Sequence, residues 1–215
     1  MLETLNAVPP DPILGLIAAH AADTNPKKID LGIGVYKDED GGTPILRSVK
    51  EAESALARRE ASKTYLGPLG VPGFNSAIRR LIFGEDSAAM REDRVRTIQT
   101  PGGTGALRVG ADLINAASPG CKIWVSDPTW ANHIPVFEAA GLSIEVYPYF
   151  DKQSSSLRFD DMMMGLELPG PGDVVLFHAC CHNPCGVSPL PEQWQAISDL
   201  AAVRGFTPMV DIAYQ

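Results

Sequence analysis

Short apolar segments alternate with amphipathic segments along most of the chain, and Gly and Pro residues mark many of the boundaries between them. Apolar runs of roughly four to eight residues are typical of buried strands, whereas apolar residues three to four positions apart are typical of helices. We therefore predict strands over 95–100, 122–126, 143–147, 174–179 and 208–213. We predict helices over 13–22, 48–60, 72–83, 105–117, 131–140, 159–168 and 191–204.

Residues at the ends of the predicted helices support these boundaries. Asp11 and Pro12 suit the N-cap and the first position of the first helix. Ser48 and Glu51 have the spacing of a capping box, which predicts the start of the second helix. Glycines are expected to end three of the others, at Gly84, Gly141 and Gly205.

The order of these elements predicts an α/β fold with a largely parallel sheet, because strands and helices alternate from residue 95 onward. Residues 1–44 include Pro9, Pro10 and Pro12, and we interpret them as an N-terminal arm before a larger domain over 45–215. The last predicted strand is apolar, and only Tyr214 and Gln215 follow it. We therefore expect the front part of a longer protein.

Composition narrows the possible classes of function. The chain has 215 residues, 45% of them hydrophobic and 20% charged, which is ordinary for a folded globular protein. A net charge of −8 argues against a nucleic-acid surface, since phosphate binding needs clustered Lys and Arg. No apolar run reaches the roughly 18 residues of a membrane-spanning helix, and the N-terminus lacks a secretory pattern. We expect a cytoplasmic protein that binds neither nucleic acid nor a membrane.

Five potential metal ligands crowd into eight residues: His178, Cys180, Cys181, His182 and Cys185. The crowding is a poor disulfide framework, so we expect reduced thiols, as in the cytosol. A zinc site is the alternative interpretation. Structural zinc normally uses two ligand pairs separated by a longer loop, and neighbouring side chains on a strand point to opposite faces. We therefore expect no metal, and interpret Asn183 with Pro184 as a turn that presents an amide.

Residues suited to a ligand follow the predicted strands, and open parallel sheets bind ligands at the carboxyl ends of their strands. Gly103 and Thr104 open a helix and can cradle a phosphate, with a tight turn as the alternative. Trp130 can cover a flat ring, with simple packing as the alternative.

Asp211 lies in an apolar strand, and a buried carboxylate is costly unless it is paired. No Lys or Arg lies within six residues of it, so its partner is a distant Arg or a ligand cation. Tyr214 places a phenol nearby. A phosphate, a flat ring, a ring cation and a ring hydroxyl occur together in pyridoxal phosphate, whose ring nitrogen acts as an electron sink.

Six segments resemble aspartate and aromatic-amino-acid aminotransferases, which are class I pyridoxal-phosphate enzymes of fold type I. The segments are 31–39, 63–67, 100–108, 127–133, 180–184 and 211–215. The resemblance covers the N-terminal half of such proteins. It implies the large domain of that fold, a three-layer α/β sandwich that is incomplete at its C-terminus, preceded by a small-domain segment within the arm. It also implies amino-group transfer between an aspartate or aromatic substrate and a 2-oxo acid such as 2-oxoglutarate, in a homodimer.

The resemblance assigns cofactor contacts to individual residues. Gly103 and Thr104 resemble the phosphate-binding pair, and Trp130 resembles the residue stacked on the cofactor ring. Asn183 and Tyr214 resemble donors to the ring hydroxyl.

The same resemblance makes Asp211 the partner of the ring nitrogen, with His133 and His178 supporting it from behind. Asp211, Trp130 and Tyr214 are the expected catalytic residues of this chain. Tyr65 resembles a residue that reaches the cofactor phosphate of the neighbouring subunit.

Substrate contacts are implied for four residues: Ile33, Gly34, Trp130 and Asn183. Two departures from the family pattern stand out. Cys185 occupies the position after Asn-Pro where the family usually has Thr. The lysine that forms the Schiff base is expected beyond Tyr214, because no Lys follows Lys152. A truncated, non-catalytic fragment that binds pyridoxal phosphate is therefore the alternative function.

Overall fold

The computed structural model describes residue 3, residues 12–30, residue 32 and residues 34–214, without the side chains of residues 12–14. These residues form two compact units, Met1–Tyr65 and Leu66–Gln215. The predicted domain boundary after residue 44 stays a prediction. The first unit contains helices α1 (Pro12–Ala22) and α2 (Arg47–Arg59). Asp11, the predicted N-cap of α1, lies outside the described residues.

The second unit carries the alternating elements. Its helices are α3 (Pro72–Phe83), α4 (Ala88–Arg91), α5 (Gly102–Ala117), α6 (His133–Ala139), α7 (Phe159–Gly165) and α8 (Pro191–Arg204). Its strands are β1 (Lys122–Asp127), β2 (Ser143–Pro148), β3 (Phe150–Asp151), β4 (Ser156–Leu157), β5 (Val174–His178) and β6 (Thr207–Asp211).

The main sheet has the strand order β2-β1-β5-β6, and all of its neighbouring strands are parallel. The chain passes from β1 to β2 on one side and then crosses to β5 on the other side of β1. This reversal is a topological switch point, where a crevice opens at the carboxyl ends of the strands. The register places His178 of β5 beside Asp211 of β6 at that end. The predicted α/β fold with a parallel sheet is confirmed.

Helices cover both faces of this sheet. Successive strand residues point to opposite faces, so Val125 packs against one helical layer and Trp124 against the other. The first buried cluster includes Leu107 and Ala111 of α5 and Phe137 of α6. The second includes Met162 of α7 and Ile197 and Ala201 of α8. The second unit is therefore a three-layer α/β sandwich, as predicted.

The prediction of a strand over residues 95–100 is wrong. A strand needs a ladder of backbone hydrogen bonds to a neighbour. Here the Gln99 amide donates to the Leu69 carbonyl (3.0 Å), and the Thr100 carbonyl accepts from Gly102 in the following turn (2.9 Å). Within the described part of the chain, the segment pairs with no strand, although Val95 is buried.

The predicted capping box of α2 is also wrong. The helix begins at Arg47, and Leu46 occupies the N-cap position without a side-chain cap. Ser48 therefore lies inside the first turn, where its hydroxyl no longer serves as the N-cap acceptor. The glycine stops are correct at Gly84 and Gly205, which follow α3 and α8 with φ of 72° and 80°. None of the described helices is both long and apolar enough to cross a membrane.

Candidate functional site

A cavity of about 420 Å³ opens at the carboxyl ends of β5 and β6, beside the loop that follows β1. Its volume lies in the range of roughly 300–1,000 Å³ that small-molecule sites occupy. Six of the predicted site residues line it: Gly103, Trp130, His178, Asn183, Asp211 and Tyr214. The cavity lies at the topological switch point, because β1 and β5 are the strands between which the order reverses.

Among the described residues, Thr104, Gly34 and Tyr65 are predicted site residues that do not line this cavity, and His133 lies behind it. Thr104 is exposed in the first turn of α5, next to the cavity residue Gly103. Gly34 and Tyr65 belong to the first unit, and the Tyr65 side chain is fully exposed. Ile33 lies outside the described residues. The roles predicted for these residues stay predictions.

The N-terminus of α5 forms one wall of the cavity through Gly103. The first amides of a helix lack intrahelical partners, and the helix dipole favours an anion there. A β-carbon added at Gly103 would meet no other group within 4 Å. The space over this turn is therefore open to a ligand, and a side chain at this position would occupy it.

Asp211 forms the wall at the end of β6, and its side chain is 20% exposed. Its Oδ2 lies 3.0 Å from His133 Nε2, and His133 is fully buried. This hydrogen bond lowers the pKa of Asp211 below its usual value, although burial acts in the opposite direction. The carboxylate is therefore ionised at neutral pH. Among the described residues, no Lys or Arg pairs with it and its Oδ1 has no hydrogen-bond partner, so that oxygen is available to a cationic ligand.

The relay behind Asp211 is a chain of four hydrogen bonds whose direction is fixed at both ends. The backbone N–H of Asn183 can only donate, so His178 Nδ1 accepts from it (3.3 Å), and His178 Nε2–H donates to Thr129 Oγ1 (3.4 Å). The Thr129 hydroxyl then donates to His133 Nδ1 (2.8 Å), which leaves the His133 Nε2–H for Asp211. Burial lowers the pKa of His178 to about 4, so its ring is neutral, as this chain requires.

Aromatic contacts hold Trp130 at the cavity wall. Its ring packs edge-on against His133, with 5.3 Å between the ring centroids and 89° between the planes. His133 is stacked in turn on Phe137 at 5.8 Å. His133 therefore contacts both the Trp130 ring and the Asp211 carboxylate, so the positions of these two cavity residues depend on the same histidine.

No lysine lines the cavity among the described residues. Five of the seven lysines belong to the first unit. Lys122 begins β1, at the end of the strand remote from the cavity, and its Nζ lies 2.9 Å from Glu145 Oε1. Lys152 lies in the turn between β3 and β4. The described residues of the second unit therefore bring no amine to the site.

The cysteines of segment 178–185 lie in different environments. Cys180 lines the cavity and its thiol donates to the Tyr214 carbonyl (3.0 Å), whereas Cys181 is exposed. In the described part of the chain, no three or more His, Cys, Asp or Glu side chains form a group that could hold a metal. The expected absence of a metal stays a prediction.

Two residues of the site were missed from the sequence. Thr129 forms hydrogen bonds with the rings of His133 and His178. The only feature of the sequence that could have indicated this role is the position of Thr129 in segment 127–133, which also contains His133. His182 is buried behind His178 with 4.0 Å between the ring centroids, and the sequence gives no sign of this stacking. Apolar residues complete the cavity wall: Ala106, Leu107, Met209, Val210, Ile212 and Ala213.

Comparison with known proteins gives consistent matches. The family model described as aminotransferase class I and II matches residues 26–215. Aspartate aminotransferase of Escherichia coli is 50% identical over 215 residues, which are 100% of this chain and 54% of the relative. Aromatic-amino-acid aminotransferase of Pseudomonas aeruginosa is 47% identical over 208 residues, covering 97% of this chain and 52% of the relative. The chain therefore spans about half the length of these curated relatives.

Solved structures agree with this result. The crystal structure of an aromatic-amino-acid aminotransferase from Burkholderia pseudomallei, covalently bound to pyridoxal phosphate, superposes with a TM-score of 0.96 at 41% identity. The match covers 100% of this chain and 54% of that one. An aspartate aminotransferase from the cytoplasm of Saccharomyces cerevisiae matches with a TM-score of 0.92 at 36% identity, over 100% of this chain and 52% of that one.

Proposed function

Since this chain belongs to the class I and II aminotransferase family, we propose that it forms the cofactor-binding part of an enzyme that transfers amino groups with pyridoxal 5′-phosphate. The amino group passes between an amino acid, either aspartate or an aromatic one, and a 2-oxo acid such as 2-oxoglutarate. Relatives named for aspartate and for aromatic amino acids match to a similar extent, which supports both substrate classes. We also propose that the full-length protein is a cytoplasmic homodimer.

The observation that supports the proposal most directly is the ionisation and the hydrogen bonding of the Asp211 carboxylate. An ionised carboxylate lines the cavity with one oxygen bound to His133, while the other has no hydrogen-bond partner in the described part of the chain. A buried carboxylate is costly unless a positive group pairs with it. A protonated ring nitrogen is such a group, and it matches the single available oxygen.

The remaining cavity residues fit the other parts of the same cofactor. The N-terminus of α5 at Gly103 suits the phosphate, and Thr104 adds a hydroxyl beside it. Trp130 offers a flat wall to the ring, and Asn183 and Tyr214 offer polar groups to the ring hydroxyl. When bound, pyridoxal phosphate supplies an electron sink for bond changes at the substrate α-carbon, which depends on a protonated ring nitrogen.

Each residue of this chain then has a defined task. Asp211 keeps the proton on the ring nitrogen, because the ionised carboxylate stabilises the positive charge. His133 holds that carboxylate in place and keeps it ionised, and the relay through Thr129 and His178 fixes the His133 ring. Trp130 covers one side of the ring and excludes water from it.

The amine that such an enzyme needs as nucleophile and proton carrier has no candidate in the cavity among the described residues. We propose that a lysine outside this part of the protein supplies it. The match to only 54% of the relative's length supports this assignment. The roles proposed for Ile33 and Gly34 in substrate binding, and for Tyr65 across a subunit interface, rest on the family resemblance.

The experiment is to change Asp211→Ala in the full-length protein and to measure glutamate formed from 2-oxoglutarate with aspartate or an aromatic donor. Without the carboxylate the ring nitrogen is no longer held protonated and the electron sink is weakened, so we expect the rate to fall by about 100-fold or more, the equivalent of roughly 3 kcal/mol in the activation free energy. Asp112→Asn is the matched control, because Asp112 forms an exposed ion pair with Arg108 on α5. Turnover close to that of the unchanged protein in Asp211→Ala would contradict the proposal.

A further inference from the structure

A second hydrogen-bonded chain lies behind the first and contacts it through a single ring. His182 is 1% exposed, and its ring is stacked between Tyr149 at 4.1 Å and His178 at 4.0 Å. His182 Nε2 lies 2.8 Å from Ser126 Oγ, and its Nδ1 lies 3.1 Å from Cys185 Sγ. Cys185 is therefore tied to the cavity residue His178 through one imidazole.

The direction of this second chain follows from the chemistry of the groups at its two ends. The Ser126 hydroxyl can either donate or accept a hydrogen bond, whereas a thiol sulfur is a weak acceptor. The order that uses the better acceptors therefore has Ser126 Oγ accept from His182 Nε2–H (2.8 Å).

This order leaves His182 Nδ1 without a hydrogen, so it must accept one from residue 185. The Cys185 thiol is the donor. Burial lowers the pKa of His182 to about 3 and raises the pKa of the Cys185 thiol. Both groups are therefore neutral, whereas a nucleophilic cysteine needs a thiolate.

We propose that Cys185 is a positioning residue of the candidate site: its thiol hydrogen holds the His182 ring, and the His182 ring holds the His178 ring at the cavity wall. His178 is a link of the relay to Asp211, so the effect of Cys185 reaches the carboxylate that the cofactor contacts. The part of this inference that concerns pyridoxal phosphate rests on the proposed function. The part that concerns the two histidine rings does not.

The matched test compares Cys185→Thr with Cys185→Val. Thr and Val have nearly the same shape, but only Thr keeps a hydrogen that His182 Nδ1 can accept. Nitrogen-15 NMR of the histidine side chains in the cofactor-free protein reads the tautomer directly. We expect an unprotonated Nδ1 on His182 in the unchanged protein and in Cys185→Thr. In Cys185→Val we expect a shift toward Nδ1–H and a change in the His178 signals.

The second measurement is the dissociation constant of pyridoxal 5′-phosphate for the full-length protein. We expect Cys185→Thr to match the unchanged protein, and Cys185→Val to bind more weakly by about 2- to 12-fold, the equivalent of one buried hydrogen bond. If Cys185→Val does not fold, Cys185→Ala removes the donor with less bulk.

An unchanged His182 tautomer in Cys185→Val would overturn the inference. So would a changed His182 tautomer with His178 signals and cofactor affinity identical to those of Cys185→Thr. A protein that binds no pyridoxal phosphate in any variant would instead refute the proposed function, and the His178 signals would still decide the positioning role.

Discussion

The hydrogen bond between His133 and Asp211 allows a stability prediction that does not depend on any ligand. The change is His133→Phe, which keeps an aromatic ring in a fully buried position but removes the donor 3.0 Å from Asp211 Oδ2. A hydrogen bond to a charged group contributes about 1.5–3 kcal/mol. We expect the free energy of unfolding of the cofactor-free protein to fall by that amount at pH 7.

The pH dependence of this loss follows from the direction of the pKa shift. The pKa of Asp211 is lowered in the folded protein, chiefly by the hydrogen bond from His133. A lowered carboxyl pKa stabilises the folded state above the unfolded pKa of about 3.9, and this stabilisation is lost as the pH falls through the folded value. The difference in the free energy of unfolding between the unchanged protein and His133→Phe should therefore have its full size at pH 7 and should become smaller below about pH 4.

Urea unfolding at pH 7 and at pH 3 measures this difference. His133→Gln is the control, because its side-chain amide keeps a donor for Asp211 and should recover most of the stability. Equal unfolding free energies for His133→Phe and the unchanged protein at pH 7 would refute the reasoning. A loss of the same size at pH 3 would show that it comes from packing and not from the carboxylate.

Three further predictions concern the core and the chemistry. Tyr147→Phe removes a buried hydroxyl that donates to Leu176, and should lower the free energy of unfolding by about 1 kcal/mol in urea. Phe137→Ala empties a fully buried position and should cost about 3–5 kcal/mol by the same assay, whereas Val203→Ala at an 82% exposed position should cost little. A protein of residues 1–215 alone should form no glutamate from 2-oxoglutarate with added pyridoxal phosphate above the rate of the free cofactor, because no described cavity residue is a lysine. Turnover above that rate would contradict this expectation.

Elements with strong local signals could be predicted from the sequence. Helices α3 and α8 begin at Pro72 and Pro191 and end before a glycine, and both were predicted with the bounds that the structure shows. The four strands of the main sheet are apolar runs, and each was found within two residues of its ends. The segment 95–100 is rich in β-branched residues, which favour a strand, but a strand also needs a neighbour, which local sequence does not specify. β3 and β4 have two residues each, too few for any periodic pattern.

The candidate site likewise contains residues that could be predicted from the sequence and contacts that could not. Trp130 follows β1 and Asp211 ends β6, so the rule for parallel sheets brings them to one edge. Gly103 reaches the same cavity from the N-terminus of α5, although in the described part of the chain no strand directly precedes that helix. The bonds from Thr129 to His178 and from Ser126 to His182 join residues 49 and 56 positions apart. Such contacts depend on how rings pack in three dimensions, and the sequence pattern holds no information on them.

The central claim is that Asp211 holds a proton on the ring nitrogen of pyridoxal phosphate. The most direct measurement is nitrogen-15 NMR of cofactor labelled at that nitrogen and bound to the full-length protein. We predict a protonated ring nitrogen at pH 8 in the unchanged protein and a deprotonated one in Asp211→Ala, because Asp211 is the only acidic residue among the described residues that line the cavity. The same protonation state in both proteins at that pH would contradict the account.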